Sequence, residues 1–487
     1  MVEGIPDTRL REANGKAPNA NAKYILYWMT AFRRTGYNFA LEHACNLSQA
    51  TGKPLLVLEA LRVGYRWASD RFHRFIVCGM SDNKVDFEKH GITYFPYVEE
   101  KAGTGKGLVE SLAEDACQIV TDDFPCFFHP RMVASVSKRL KVPLTLVDSN
   151  CLMPLSLAEK TFTVAHSYRR WMQKTLPEHL VEFPDPNPLA GKDFSGARIS
   201  KKISQTWPMA DLDPLLEDGG LSHLQIDHSV KGGASQGGAN EARNLLARFL
   251  TKRLSDYDTD RNEPDELGSS ELSPHLHFGH ISAHEVFQQI MEAESWAPNR
   301  IQKVNGKVNG FWGVSESAEA FLDQLCTWRE IGFNMCFREP EQYDCLESLP
   351  DWTKKTIEEH RGDQREYVYD LNTFESASTH DPIWNAAQRQ LVQEGRIHNY
   401  LRMLWGKKIL HWTASVESAL DIMIELNNKY ALDGRDPNSY SGIFWVLGRY
   451  DRAWGPERSI FGKIRYMTSE NTAKKHKLGE YLKRFAE

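Results

Sequence analysis

Residues 380–467 decide how this chain is read. They run HDPIWNAAQRQLVQEGRIHNYLRMLWGKKILHW (380–412) and, from 426, LNNKYALDGRDPNSYSGIFWVLGRYDRAWGPERSIFGKIRYM. Five of the thirteen tryptophans fall here: Trp384, Trp405, Trp412, Trp445 and Trp454. No proline interrupts 386–412, and apolar residues recur at helical spacing (Leu391, Ile397, Leu401, Trp405, Ile409, Trp412), so the pattern predicts one long buried helix. Trp405 and Trp412 are two turns apart on one face of it, about 10 Å by helical rise. A tryptophan-rich core accounts for the rings. It does not account for Arg402, Asn427, Asp433 and Arg435, which stand where such a core carries aliphatics, because a buried charge needs a partner.

The whole chain has 487 residues, room for two or three domains and a large core. Its net charge of −6 argues against a wholly basic nucleic-acid binder, yet 445–484 carries ten Lys/Arg against four Asp/Glu. That local excess suits a phosphate-facing surface as well as a solvated basic terminus. Eight cysteines lie scattered without CxxC spacing or a paired histidine cluster, the pattern of core thiols in a reducing compartment and not of a disulfide frame or zinc site. The first twenty residues have no apolar signal-peptide core and no run of eighteen apolar residues occurs, so a soluble intracellular protein without a membrane span is expected, cytoplasmic or, in a eukaryote, nuclear.

Residues 1–21 are polar and rich in Gly, Pro, Asn and Ala, the composition of a loose arm. Across 22–150 short apolar strands (24–29, 54–60, 92–98, 118–123, 143–149) alternate with helix-length segments (38–51, 69–90, 106–116, 130–140), which predicts a Rossmann-like α/β domain with a parallel sheet. No GxGxxG follows the first strand, and the GTGKG at 103–107 lacks the spacing and hydroxyl of a P-loop, so it is read as a flexible turn. Residues 151–215, with EFPDPNPLAG, form a proline-rich interdomain connection. From 216 to 487 strand signals fade and amphipathic helices take over (239–257, 281–294, 316–336, 383–415), predicting a larger, all-α domain.

The central stretch resembles class II DNA photolyases. The runs that carry the resemblance are DPIWNA (381–386), RMLWGKKILHW (402–412), LNNKYALDGRDP (426–437) and FGKIRYM (461–467), four in the family's order. It extends to SDYDTDRNEPDELGSSELSPHLHFGHIS (255–282) and FLDQLCTWREIGFN (321–334), and more weakly to TAFRRTGYNFAL (30–41), where the family's acidic residues are missing. The resemblance implies an all-α FAD-binding domain behind the α/β domain, which in this family can hold an antenna chromophore. It also implies light-driven repair of cyclobutane pyrimidine dimers in damaged DNA, by electron transfer from reduced FAD to a flipped-out dimer, in a monomeric protein. A cryptochrome-like blue-light sensor, or a photolyase for another lesion, is the alternative.

The same resemblance implies the site. Tyr257, Ser269, Ser270, Leu272 and Ser273 belong to the loop that wraps FAD, where hydroxyls and backbone N–H groups at a helix start suit an anion as well as ordinary capping. Arg329, Asn334 and Gly434 complete the cofactor shell. Asn427 lies beside the flavin N5, with Arg402 and Asp433 as a charge pair over the ring. Trp405, Trp384 and Trp412 form the electron-transfer chain, proximal to distal. Gln324 and Trp328 share a helical face towards the lesion, together with Met403, Trp445 and Trp454. Arg261, Arg449, Arg452, Lys463 and Arg465 are the expected DNA contacts. Gln324 replaces the family's glutamate, and an amide can hydrogen-bond a pyrimidine but cannot supply a proton. Asn399 and Met403 stand where (6-4) enzymes carry histidines, which removes that chemistry. Tyr450 also stands where the family often has histidine.

Overall fold

A computed structural model describes residues 4–233 and 235–486. Six strands, β1 (Leu10–Glu12), β2 (Tyr24–Met29), β3 (Leu55–Leu61), β4 (Thr93–Val98), β5 (Ala116–Asp122) and β6 (Leu144–Val147), form one sheet in the order β1-β6-β5-β2-β3-β4. β2 to β6 run parallel and β1 pairs antiparallel with β6. Helices α1 (Phe39–Thr51), α2 (Asp70–Lys89), α3 (Leu108–Ala113) and α4 (His129–Ser137) connect successive parallel strands. All six residues of β2 are buried, as a parallel sheet covered on both faces requires. This is the expected α/β architecture. Among the described residues no strand follows β6, and the remaining elements are helices.

Open parallel sheets bind ligands where the strand order reverses, here between β2 and β5. In this protein the loop after β2 is tied to β5 at that place. The Asp122 carboxylate accepts backbone N–H bonds from Thr30, Ala31 and Phe32 at 2.6–2.9 Å and the Tyr27 hydroxyl at 2.7 Å. The neighbouring TAFRRTGYNFAL run is committed to the fold too: Arg33 pairs with buried Glu59 at 3.3 Å, and Arg34 donates to the Tyr37 and Gly279 carbonyls. The GTGKG turn is a small anion nest already holding its own anion, since Glu99 accepts from Gly103 N–H and Gly105 N–H at 2.8 and 3.0 Å.

Three expectations need correction. Part of the supposed loose arm, Leu10–Glu12, is an edge strand, and Arg9 beside it is buried, donating to the Cys151 and Leu152 carbonyls. Polar composition does not reveal a short edge strand that owes its order to backbone pairing. Contacts divide the chain into two units, one of the described residues to Leu157 with Glu178–Leu246 and Leu272–Gln289, the other of Ala158–Pro177, Ala247–Glu271 and the residues from Ile290 onward. The supposed connection, 151–215, is thus shared between the units and includes the helix Ala165–His179. The long helix at 383–415 is two helices, Pro382–Glu394 and Asn399–Trp412. Gly395 ends the first with φ 72°, a left-handed cap that glycine adopts without steric cost.

Five imidazoles of the sheet-bearing unit are held neutral, four of them buried and His129 half-buried. Burial lowers His43, His73 and His275 to about 4 and His129 to about 3, and drives His280 further below its ordinary value, with His275 and Arg33 adding to it. The unfolded chain protonates these groups near 6.5, so it binds more protons than the folded chain below that pH, and stability falls as pH drops from 6.5 towards 4. At about 1.4 kcal/mol per pKa unit and group, we expect a loss of at least ~3 kcal/mol between pH 6.5 and 4.5. Urea unfolding across that range checks it; a flat profile contradicts it.

Candidate active site

The tryptophan run is built by two helices, not one. Asp381 caps Pro382–Glu394 by accepting from Ile383 N–H and Trp384 N–H at 3.0 Å, with Pro382 in the first turn where its missing N–H costs nothing. Trp384, fully buried, donates its indole N–H to the Trp405 carbonyl at 3.0 Å, which ties the first helix to Asn399–Trp412. Trp405 donates its own indole N–H to Gln388 at 2.9 Å. Gln388 went unnoticed in the sequence, although it lies one turn after Trp384 and so on the same helix face. The Trp384 and Trp412 rings meet edge to face at 6.4 Å. The structure thus brings the three together, but Trp412 is only 2 % exposed and does not reach solvent.

Gln324 and Trp328 lie in a π-helical segment, Asp323–Arg329, between the helices Glu316–Leu322 and Glu330–Arg338. Such wider turns recur at functional sites. Of residues 321–330 only these two are not buried. Gln324 makes no hydrogen bond among the described residues. Trp328 stacks on Trp445 with centroids 4.5 Å apart and planes 20° from parallel. Trp445 comes from Pro437–Val446, which Asp436 caps. That helix packs on Glu330–Arg338 at Gly332, where a Cβ would fall 2.5 Å from the Pro437 carbonyl oxygen. Met403 is half-buried and Asn399 exposed at the start of the tryptophan-bearing helix.

Arg402 and Asp433 pair at 3.3 Å and keep 26 % and 13 % of their side chains exposed. Asn427 is buried, donating to Ser439 Oγ at 2.7 Å and to Asn428 at 3.2 Å. Arg435 found its partners in the fold: its guanidinium donates to the Asn428 carbonyl near the end of the helix Val416–Tyr430, where cations are favoured. Gly434 N–H donates to the Ala431 carbonyl in the same turn.

In the loop of the expected cofactor, Glu271 holds a left-handed φ of 62° and is clamped by Arg253 at 2.9 Å and Arg396 at 2.7 Å. Burial alone would raise its carboxyl; the two guanidinium groups hold it below the usual range. Arg253 also donates to the Ser269 carbonyl. Ser269 is exposed and Ser270 half-buried, while Leu272 is buried in the other unit, where Ser273 opens a helix of five residues, too short for a dipole of consequence. Tyr257 is buried between Phe249 and Phe321, with the Arg261 guanidinium 5.6 Å from its ring. Arg261 Nε and His398 Nδ1 are buried without a hydrogen bond. Such groups, beside a charge pair that remains partly open, fit a polar flavin dinucleotide better than an apolar core. Arg261 is half-buried and lies against Tyr257.

Other expected site residues serve the fold. Asn334 accepts from Phe162 N–H and donates to the Lys160 carbonyl, which pins that segment. Arg329 is buried over the Phe333 ring at 4.4 Å. Arg449 is fully buried, bonded to the Ser348 carbonyl and paired with Glu339 at 3.1 Å, so it is no DNA contact. Arg452 and Arg465 do lie outside, 5.3 and 5.1 Å from the ring of Trp454, itself 37 % exposed. Lys463 pairs with Glu457 at 3.0 Å. Trp454 thus belongs to an exposed arginine–aromatic cluster. No helix among the described residues is long and apolar enough to cross a membrane.

No family model matches the chain. It is 33% identical over 481 residues to the deoxyribodipyrimidine photo-lyase of Methanothermobacter thermautotrophicus, covering 98% of this chain and 97% of that protein. The photo-lyase of the same name from Arabidopsis thaliana is 32% identical over 94% of this chain and 88% of its own. Cryptochrome-2 of Arabidopsis thaliana is 27% identical over 45% of this chain and 37% of its own. Among solved structures, a class III photolyase from Agrobacterium tumefaciens shares the fold with a TM-score of 0.67 at 17% identity, covering 97% of this chain and 88% of that one. With the two-part fold, the tryptophan run and a third of its residues shared end to end with such relatives, the chain belongs to the photolyase/cryptochrome family.

Proposed function

We propose that the protein is a class II-type photolyase that splits cyclobutane pyrimidine dimers in DNA, with FAD as cofactor. The family generally binds FAD, and its photolyases act on damaged DNA. When bound, FAD supplies the light absorption and the electron. Arg261, His398, Asn427 and the Arg402–Asp433 pair would hold it, the last two offering an uncharged amide and an internally balanced field. Trp405, Trp384 and Trp412 offer oxidisable rings in sequence. The observation that carries the reading is the half-open Trp328–Trp445 stack beside the free amide of Gln324. A lesion must leave the duplex to reach a buried cofactor, and aromatic faces offset its lost stacking. Arg452, Arg465 and Trp454 supply an outer basic surface for the strand.

Gln324 also favours a second reading, a light sensor that binds the same cofactor without repair, since the amide cannot serve as an acid. The test is light-dependent repair of a thymine-dimer oligonucleotide by the FAD-loaded, photoreduced protein, beside Gln324→Glu. Repair by the wild type is expected, with Gln324→Glu faster by about 10-fold or more, the scale of a positioned acid. An inert wild type that still photoreduces overturns the repair reading in favour of the sensor.

A further inference from the structure

Two consecutive lysines, Lys407 and Lys408, are buried beside the tryptophans, and neither belongs to the roles assigned above. Lys407 caps a helix end by donating to the Val446 carbonyl. Lys408 is placed differently. Its ammonium lies 4.9 Å from the centroid of the Trp412 ring and 3.8 Å from the Asp381 carboxylate. Asp381 is the residue that caps the Trp384 helix, accepting from Trp384 N–H with its other oxygen. The ion pair is therefore strung along the Trp384–Trp412 step, its positive end over Trp412 and its negative end on the helix of Trp384. Both partners are nearly excluded from solvent, which leaves the field little screened.

The geometry points to Lys408 as a positioning residue for charge: it makes Trp412 an unfavourable place for a positive hole and so restrains electron flow along the tryptophan chain. This rests on the electron-transfer role of the three tryptophans proposed above. When an electron moves inward from Trp384, a one-electron deficit remains on its indole. The next step takes one electron from Trp412 to Trp384, with no bond made or broken, and leaves the deficit on Trp412 beneath the ammonium. A cation that attracts the electron-rich face of a neutral indole repels the same ring once it has lost an electron. Trp412 is also 2 % exposed, so water does not relieve that repulsion. A dissolved thiol is the final reductant that refills the chain. Lys408 thus shortens charge separation and slows photoreduction; without it the Trp412-to-Trp384 electron step is favoured and the separated state lasts longer.

The test is flash photolysis of the FAD-loaded protein, reading the lifetime of the tryptophanyl radical by transient absorption. Lys408→Met should lengthen it roughly ten-fold, the effect of a unit charge at 4.9 Å through an effective dielectric near 20, half offset by its counter-ion. Lys408→Arg keeps the charge and should retain the wild-type lifetime, which separates charge from packing; Lys408→Gln replaces Lys408→Met if the latter does not fold. In a Trp412→Phe background the Lys408→Met effect should vanish. An unchanged lifetime in Lys408→Met, or a change that persists without Trp412, overturns the proposal while leaving the tryptophan chain intact. A wild type that forms no tryptophanyl radical sinks the electron-transfer reading and this proposal with it.

Discussion

Replacing Arg449 by alanine should lower the unfolding free energy by about 3 kcal/mol and leave the salt dependence of DNA binding unchanged. The side chain is fully buried, and its guanidinium holds both the Ser348 carbonyl and the Glu339 carboxylate. Breaking a buried pair from one side strands the partner, at about 3–5 kcal/mol. The low end applies because Glu339 keeps 22 % of its side chain exposed and regains some hydration. Arg465 and Arg452 should behave in the opposite way. Each lies outside near Trp454, so its replacement by alanine should leave stability within about 0.5 kcal/mol. Removing a side chain that neutralises one phosphate should reduce the slope of log K against log salt by about one. Urea unfolding and salt titrations of the three variants decide between the roles. An Arg449→Ala variant of wild-type stability, with a reduced salt slope, would show that the buried geometry is not the one that binds DNA.

Arg449 also shows where sequence reading stops. In GRYDRAW it is one more basic residue of a basic segment, and its partner Glu339 lies 110 residues earlier, so nothing local announces the burial. Asn334 and Arg435 are the same case, polar side chains spent on distant or helix-end backbone. The sheet was legible because its strands are apolar runs bounded by turn residues, and the run 24–29 coincides with β2. The helix break at Gly395 was not, since Leu391, Ile397 and Leu401 keep a plausible helical phase across it. Better signals stood in the same stretch: Asp381-Pro382 and Asp436-Pro437 each pair a capping carboxylate with a first-turn proline, and each opens a helix. The π-helical turn had no such signal in FLDQLCTWREIGFN. Positions four apart remain neighbours in the wider turn, and Gln324 and Trp328 are the two residues of that turn left open.

Truncating Trp445 or Trp328 to alanine should weaken binding to dimer-containing DNA by roughly 2- to 30-fold while leaving undamaged duplex bound as before. Stacking a base on an aromatic face is worth about 1–3 kcal/mol, and only a flipped lesion meets these rings, so the loss belongs to the lesion complex alone. The two rings already stack on each other at 4.5 Å, which makes their contributions interdependent. That stack is worth about 0.5–1.5 kcal/mol, and a lesion that parts the rings must first offset it. Removing one tryptophan therefore costs a stacking face but also frees the other from its partner. The double variant should then lose more affinity than the two single losses combined, by a coupling of about 0.5 kcal/mol or more. Strict additivity would mean that the lesion lies across the edges of an intact stack. Equal losses on damaged and undamaged DNA would mean that the pair contacts ordinary duplex, and the flipped-lesion reading of this face would fall.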